Sequence, residues 1–211
     1  MDILVVSRCP PWPLNRGDRL IVYHLARALS GRGHRLNLLA FDDDEGARER
    51  EGTKSQRYEL AANVFTEMHF IAEPARAPWQ YLARQLRPGR RFPARARDSW
   101  SPPMWEAITA RLDAAHYDAM LLFGGVAVYE YRQLAQALPN VVAPYESFAL
   151  YLERAAQQAR APLPWLSSRL QLWMARAYER WMFAGFDRVV VVSEADAATL
   201  RARDPSLPVE V

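Results

Sequence analysis

DILVVSRCPPWPLNRGDRLIVYHLARALSGRGHRLNLLAF, residues 2–41, decides how the rest of the chain is read. Ile3, Leu4, Val5 and Val6 form an unbroken apolar run, the pattern of a short strand buried on both faces. A loop follows from Ser7 to Asp18, stiffened by Pro10, Pro11 and Pro13. Leu20, Ile21, His24, Leu25, Ala28 and Leu29 then recur at helical spacing and predict one stripe turned to a core. On such a stripe His24 reads as a satisfied core histidine rather than a base. Asp18 is the expected N-cap, because its carboxylate can accept from the free amides of the first turn. Gly31 and Gly33 supply the stop, and His34 to Phe41 reads as the next strand. If the two strands are parallel neighbours, this is a βαβ unit.

In an open parallel sheet, ligands sit beyond the carboxyl ends of the strands. Arg8, Arg16, Gly17 and the start of the helix at Asp18 would all lie there. Gly17 lets a ligand approach the backbone closely, and the free amides and helix dipole favour an anion. The Gly-x-Gly-x-x-Gly dinucleotide fingerprint is absent. The simpler reading is that Gly17 only makes the turn into the helix.

Composition narrows the classes. At 211 residues, half of them hydrophobic and including seven Trp and nine Tyr, the chain can bury a large core as one α/β domain. No apolar run approaches the roughly 18 residues of a membrane span. Met1-Asp2 leads straight into a strand and leaves no room for a signal peptide, and a single Cys9 excludes an internal disulfide framework. Both point to the cytosol. No motif surrounds Cys9 that would make it a nucleophile. The net charge is +3, and Lys54 is the sole lysine. Seven arginines lie between Arg76 and Arg97, with Trp79, Tyr81 and Phe92 among them and no acid. That segment reads either as a surface for phosphate or anionic lipid or as a solvated Arg-rich face. Nucleic acid is not indicated, since basic residues are present without a recognised binding motif.

Strand and helix alternate along the remainder. Thr66 to Ala72 reads as a third strand, and Ser101-Pro102-Pro103 opens a helix from Met104 to Leu112. Tyr117 to Phe123 is a fourth strand running into Gly124-Gly125, paired glycines that mark close approach of a ligand or neighbouring element. A helix through Tyr129 to Leu138 follows, then a fifth strand, Asn140 to Tyr145, distorted by Pro144. Glu146 and Ser147 sit just beyond it, on the same sheet edge as Arg16 and Gly17. A helix from Phe148 to about Ala159 precedes a long one ending near Phe183. The stripe Leu166, Leu170, Trp173, Ala177 and Trp181 of that long helix reads as core, or alternatively as a membrane anchor. Asp187 to Val192 is the clearest buried strand, Ser193 and Asp196 form a capping pair, and Val209 begins another strand. This order predicts a doubly wound, mainly parallel, Rossmann-like sheet. No Glu-x-x-His or Cys-x-x-Cys suggests a metal, no Gly-x-Ser-x-Gly elbow suggests a serine nucleophile, and no cofactor is implied.

Three stretches together resemble a known family. Residues 2–41 are similar to the start of GT-B glycosyltransferases of the group 1 (family 4) kind, where a Gly-containing loop and a helix ending Leu-Ala-x-x-Leu precede Gly-His-x-Val. FDRVVVVSEADAATLRARDPSLPVEV, residues 186–211, is similar to the last strand and helix of the same N-terminal domain. YESFALYLERAA, residues 145–156, with RLQLWMARAYERWMFAGFD, residues 169–187, resembles a subgroup of sugar transferases associated with bacterial exopolysaccharide systems. The resemblance implies that residues 1–211 are the acceptor-side half of a longer protein, whose donor-binding domain is not in this sequence. It implies retaining transfer from a nucleotide-diphosphate sugar to a saccharide or lipid-linked acceptor, with Arg8, Arg16, Gly17, Asp18, Gly124, Gly125, Glu146, Ser147, Ser193 and Glu194 lining the cleft. It also implies a cytoplasmic protein, peripheral at the inner face of the membrane. Many relatives place a histidine after the fourth strand. This chain has Gly124-Gly125 there, so no residue is assigned to proton transfer. A stand-alone Rossmann-like ligand-binding module and a peripheral membrane module are the alternatives.

Overall fold

The structure, a computed structural model, describes residues 1–42, 63–73, 101–144, 147, 149–150, 152–154 and 162–211. Seven strands form one sheet: β1 (Asp2–Ser7), β2 (Arg35–Asp42), β3 (Glu67–Ala72), β4 (Ala119–Phe123), β5 (Asn140–Ala143), β6 (Arg188–Val190) and β7 (Val209–Glu210). Their order is β3-β2-β1-β4-β5-β6-β7 and every pairing is parallel. This is the doubly wound, Rossmann-like arrangement expected from the alternation of elements. The chain works outward from β1 to β2 and β3, then returns to lay β4 on the other side of β1. The winding therefore reverses between β1 and β4, the crevice where such sheets hold ligands.

Among the described residues the sheet is accompanied by helices α1 (Gly17–Gly31), α2 (Pro102–Ala114), α3 (Val126–Tyr129), α4 (Arg132–Ala135), α5 (Pro162–Phe183) and α6 (Glu194–Arg203). The unbroken apolar run of β1 serves both faces of the sheet. Leu4 and Val6 join a core with Met104, Ile108, Tyr178, Met182, Phe183 and Leu200 from α2, α5 and α6. Ile3 and Val5 join a second core with Val22, Tyr23 and Ala26 of α1. Alternation of side chains along a strand requires this division.

Several boundaries differ from the sequence reading. Helix α1 begins at Gly17 with Arg16 as N-cap, so Asp18 lies in the first turn rather than at the cap. The buried stripe of α1 is Arg19, Val22, Tyr23 and Ala26, while His24 and Ala28 are exposed and Leu20 is 38% exposed. Both stripes have helical spacing, and contact with the sheet selected the one that includes an arginine. After Gly124-Gly125 the predicted single helix is two four-residue helices, α3 and α4. Strand β5 stops at Ala143, before Pro144, whose missing amide cannot extend the ladder. The run predicted as the clearest strand pairs only over Arg188–Val190, because β7 offers two residues beside it, and Val192 is exposed. Other expectations hold: Ser101 caps α2 by accepting from the Met104 amide at 3.3 Å, and Gly33 beyond α1 has φ of 82°.

Candidate functional site

The loops after β1, β4, β5 and β6 share one edge of the sheet because their strands are parallel. At the switch point the backbone amide of Arg8 donates to the Phe123 carbonyl at 3.0 Å, and that of Gly124 donates to the Ala143 carbonyl at 3.2 Å. Gly124 has φ of 117°, and a Cβ there would meet Arg8 Cγ at 2.2 Å and Cδ at 2.8 Å. The first of the paired glycines thus makes room for the aliphatic stem of Arg8, a neighbouring element rather than a ligand. Gly125, with φ of 64°, is the N-cap of α3 and has open space above its Cα.

Arg8 is held so that its guanidinium meets the N-terminus of α1. Asp18 accepts from Arg16 Nη2 at 3.2 Å, and its carboxylate lies 3.8 Å from Arg8 Nε. It also accepts from the Arg19 amide at 3.0 Å. One carboxylate between two guanidiniums leaves the mouth of the site net positive, and the α1 dipole adds to that charge. Arg16 is the outermost member, with its side chain 42% exposed against 18% for Arg8 and 10% for Asp18. Gly17 begins the helix without a positive φ, and no atom lies within 4 Å of where its Cβ would be. It leaves the backbone open where the first helical amides point outward. The turn itself does not demand glycine.

The preceding proline-stiffened loop is packed: Pro11, Trp12 and Pro13 are buried, the Trp12-Pro13 peptide is cis, and the Trp12 ring stands edge-on to Phe70 of β3 at 5.5 Å. Arg19, fully buried, donates from Nη1 to Asn15 Oδ1 at 3.3 Å and ties the loop to α1. Sequence reasoning missed Arg19. Its spacing to Val22, Tyr23 and Ala26 was the available signal. Cys9 is buried beneath the same loop, and burial, aided by Asp18, pushes its thiol up to about 12. At neutral pH it is a neutral, inert packing group.

At the far side of the edge, Ser147 is buried. It is 1% exposed, donates from Oγ to Glu179 Oε2 at 3.0 Å, and its amide donates to Asp196 Oδ1 at 3.4 Å. Ser147 Oγ in turn accepts from the Leu150 amide at 3.2 Å. Its hydroxyl and amide are thus both engaged within the protein, beneath the sheet edge. Glu146 lies outside the described residues, as do Arg76 to Arg97. Ser193 caps α6, accepting from the Asp196 amide at 3.1 Å. In a full capping box the acidic side chain would reach the cap amide. Here the Asp196 carboxylate meets the Ser193 hydroxyl and the Ser147 amide. Glu194 is exposed, with its carboxylate 4.0 Å from Arg201.

Together these residues make a Rossmann-like sheet edge with a basic mouth at its switch point, beside the N-terminus of α1. The chain belongs to Glycosyltransferase Family 4, which it matches over residues 19–211. No curated protein matches it. Among solved structures it is similar to a UGT transferase from Siraitia grosvenorii crystallised in complex with UDP, at 14% identity and a TM-score of 0.49, covering 100% of this chain and 50% of that one. It is also similar to the N-terminal domain of Candida albicans trehalose-6-phosphate phosphatase, at 15% identity and a TM-score of 0.45, covering 97% of this chain and 43% of that one. The chain thus spans half or less of the length of these structures.

Proposed function

We propose that residues 1–211 are the acceptor-side domain of a GT-B glycosyltransferase that uses a nucleotide-diphosphate sugar. The observation that carries this reading is family membership over residues 19–211 combined with the Arg8–Asp18–Arg16 constellation at the switch point. The chemistry fits: when a glycosyl bond to a diphosphate breaks, negative charge grows on the leaving oxygens, and a pre-placed guanidinium stabilises it. Arg16 is the residue for this role because it is the most exposed cation of the three-residue cluster. Transfer is of a hexose with retention, by front-face attack without a protein nucleophile, so the domain contributes positioning and electrostatics. The acceptor is a saccharide or a lipid-linked saccharide of the exopolysaccharide kind. Donor-binding groups belong to a second domain outside these residues. No helix among the described residues is long and apolar enough to cross a membrane, and contact with a lipid-linked acceptor would be peripheral, at the cytoplasmic face.

The test is release of nucleoside diphosphate from a panel of uridine and guanosine diphosphate sugars by the full-length protein, supplied with membrane extract as the acceptor source. Release with at least one donor is expected. Arg16→Ala and Glu146→Gln are each expected to lower turnover about tenfold or more, the worth of a charge-assisted contact, with an unchanged circular dichroism spectrum. Wild-type kinetics in either variant would remove that residue from the site. No release from any donor would overturn the transferase reading.

A further inference from the structure

Helix α5 turns a face to solvent that the sequence pattern assigns to the core. Leu170 is 56% exposed and Trp173 is 69% exposed. At 3.6 residues per turn, Arg169, Trp173, Ala177, Arg180 and Ala184 just past the helix end share one face, flanked by Leu170 and Arg176. All seven are exposed. The carboxylate between Arg169 and Phe183 belongs to Glu179, which points to the opposite side and is 1% exposed. The Arg180–Asp204 pair on this face is built with its cation outermost, and the Arg176–Glu153 pair shares its exposure between the two groups. Arg180 is 68% exposed over an Asp204 that is 11% exposed, and Arg176 is 43% exposed beside a Glu153 at 34%. Solvent therefore meets guanidinium groups around a bare indole and a bare leucine. That combination suits the boundary layer of a bilayer, where indole rings lodge at headgroup depth and cations meet anionic lipid.

We propose that this face of α5 docks the protein on an anionic lipid bilayer, with Trp173 and Leu170 entering the headgroup layer and Arg169, Arg176 and Arg180 against the lipid charges. The inference deepens the peripheral-membrane part of the proposed function by naming its surface. Sugar transfer plays no part in its test, so the two readings fail separately.

The test is co-sedimentation of the full-length protein with phosphatidylcholine vesicles, with and without phosphatidylglycerol. Binding is expected only to the anionic vesicles, and it weakens as salt rises, since screening reaches about 10 Å at roughly 0.1 M. Trp173→Ser is expected to weaken binding about tenfold, from the lost burial of one large apolar side chain. Arg169→Glu, a change of two charges, is expected to weaken it about 25-fold, since each charge near an anionic leaflet is worth about fivefold in affinity. Both positions are exposed, so melting temperatures should stay put. Equal binding to neutral and anionic vesicles would overturn the proposal, as would no binding to either. So would anionic binding that both variants leave intact, which would place docking elsewhere on the protein. A dimer that Trp173→Ser dissolves, without vesicle binding, would make the face a contact between copies instead.

Discussion

Gly124 carries a constraint that no other residue type meets. Its φ of 117° is left-handed, and its missing Cβ is where the Arg8 stem lies. Strain of this kind costs about 1–3 kcal/mol, and the collision with Arg8 adds to it. Gly124→Ala is therefore expected to lower stability by about 2 kcal/mol or more, read as a shift in the urea midpoint at unchanged slope. Gly125→Ala is the control: its φ of 64° is also left-handed, but nothing lies within 4 Å of the added methyl. With ψ of −140° it lies outside the left-handed helical well, so the backbone strain alone should cost about 1–3 kcal/mol, without the collision. Equal losses in the two variants would remove the Arg8 contact from the explanation. The glycine pair was legible as a place of close approach. Its neighbour was not, because Arg8 is 116 positions away along the chain and arrives only through the β1–β4 pairing.

Among the elements, α5 is held by charge as well as by packing. Glu179 is buried, accepts from Ser147 Oγ at 3.0 Å and from the Ala149 amide at 3.3 Å, and lies 3.6 Å from Arg203 Nη1. Arg203 also donates to Glu153 at 3.4 Å, which accepts from Arg176 at 3.0 Å. The chain Arg176–Glu153–Arg203–Glu179–Ser147 ties the segment after β5 to α5 and α6. Burial pulls the Arg203 guanidinium below its usual value, opposed by Glu179 and Glu153. Removing Glu179 leaves the Ser147 hydroxyl and the Ala149 amide without their buried acceptor and costs about 2–4 kcal/mol, although Arg203 keeps Glu153. Glu179→Ala should lose about that much in chemical denaturation, and Glu179→Gln less, because the amide oxygen still accepts from the Ala149 amide and its NH2 can donate to the Ser147 hydroxyl. A loss below about 1 kcal/mol in Glu179→Ala would show that apolar packing alone seats α5. The stripe chosen from sequence, centred on Leu170 and Trp173, is out of phase with the face that is buried: Ala175, Tyr178, Glu179, Met182 and Phe183. Counting large apolar residues favours the wrong phase when the true core face carries a carboxylate.

For the molecule as a whole, two carboxylates fasten separate elements together and respond to acid. A hydrogen bond from Arg35 holds Asp2 below the usual carboxylate range and joins the starts of β1 and β2. The Ser206 hydroxyl and amide, with Arg180, do the same for Asp204 and join α5 to the end of α6. Groups depressed in the folded state contribute stability that is present above their unfolded pKa and is lost as pH falls through the folded one. The urea midpoint is therefore expected to hold from neutrality to about pH 5 and to drop below about pH 4. Asp204→Asn should flatten part of that drop. An acid limb of unchanged steepness in this variant would take Asp204 out of the account.

Read by itself, the sequence determined the class of architecture and the position of the candidate site along the chain. The apolar run of β1, the loop to Gly17 and the return strand at Arg35 are local patterns, and the spacing of neighbours is enough to encode them. The same holds for the glycines after β4 and the Ser193 cap. Tertiary structure alone decided the strand order, and with it the crevice between β1 and β4. It decided that Arg8, Asp18 and Gly124 meet there, that Ser147 bonds to Glu179, and that Arg19 is inside while Trp173 is outside. Each of these depends on contacts between residues far apart in sequence, where a helix of given periodicity can still present either of two faces and only the surface it packs against selects one.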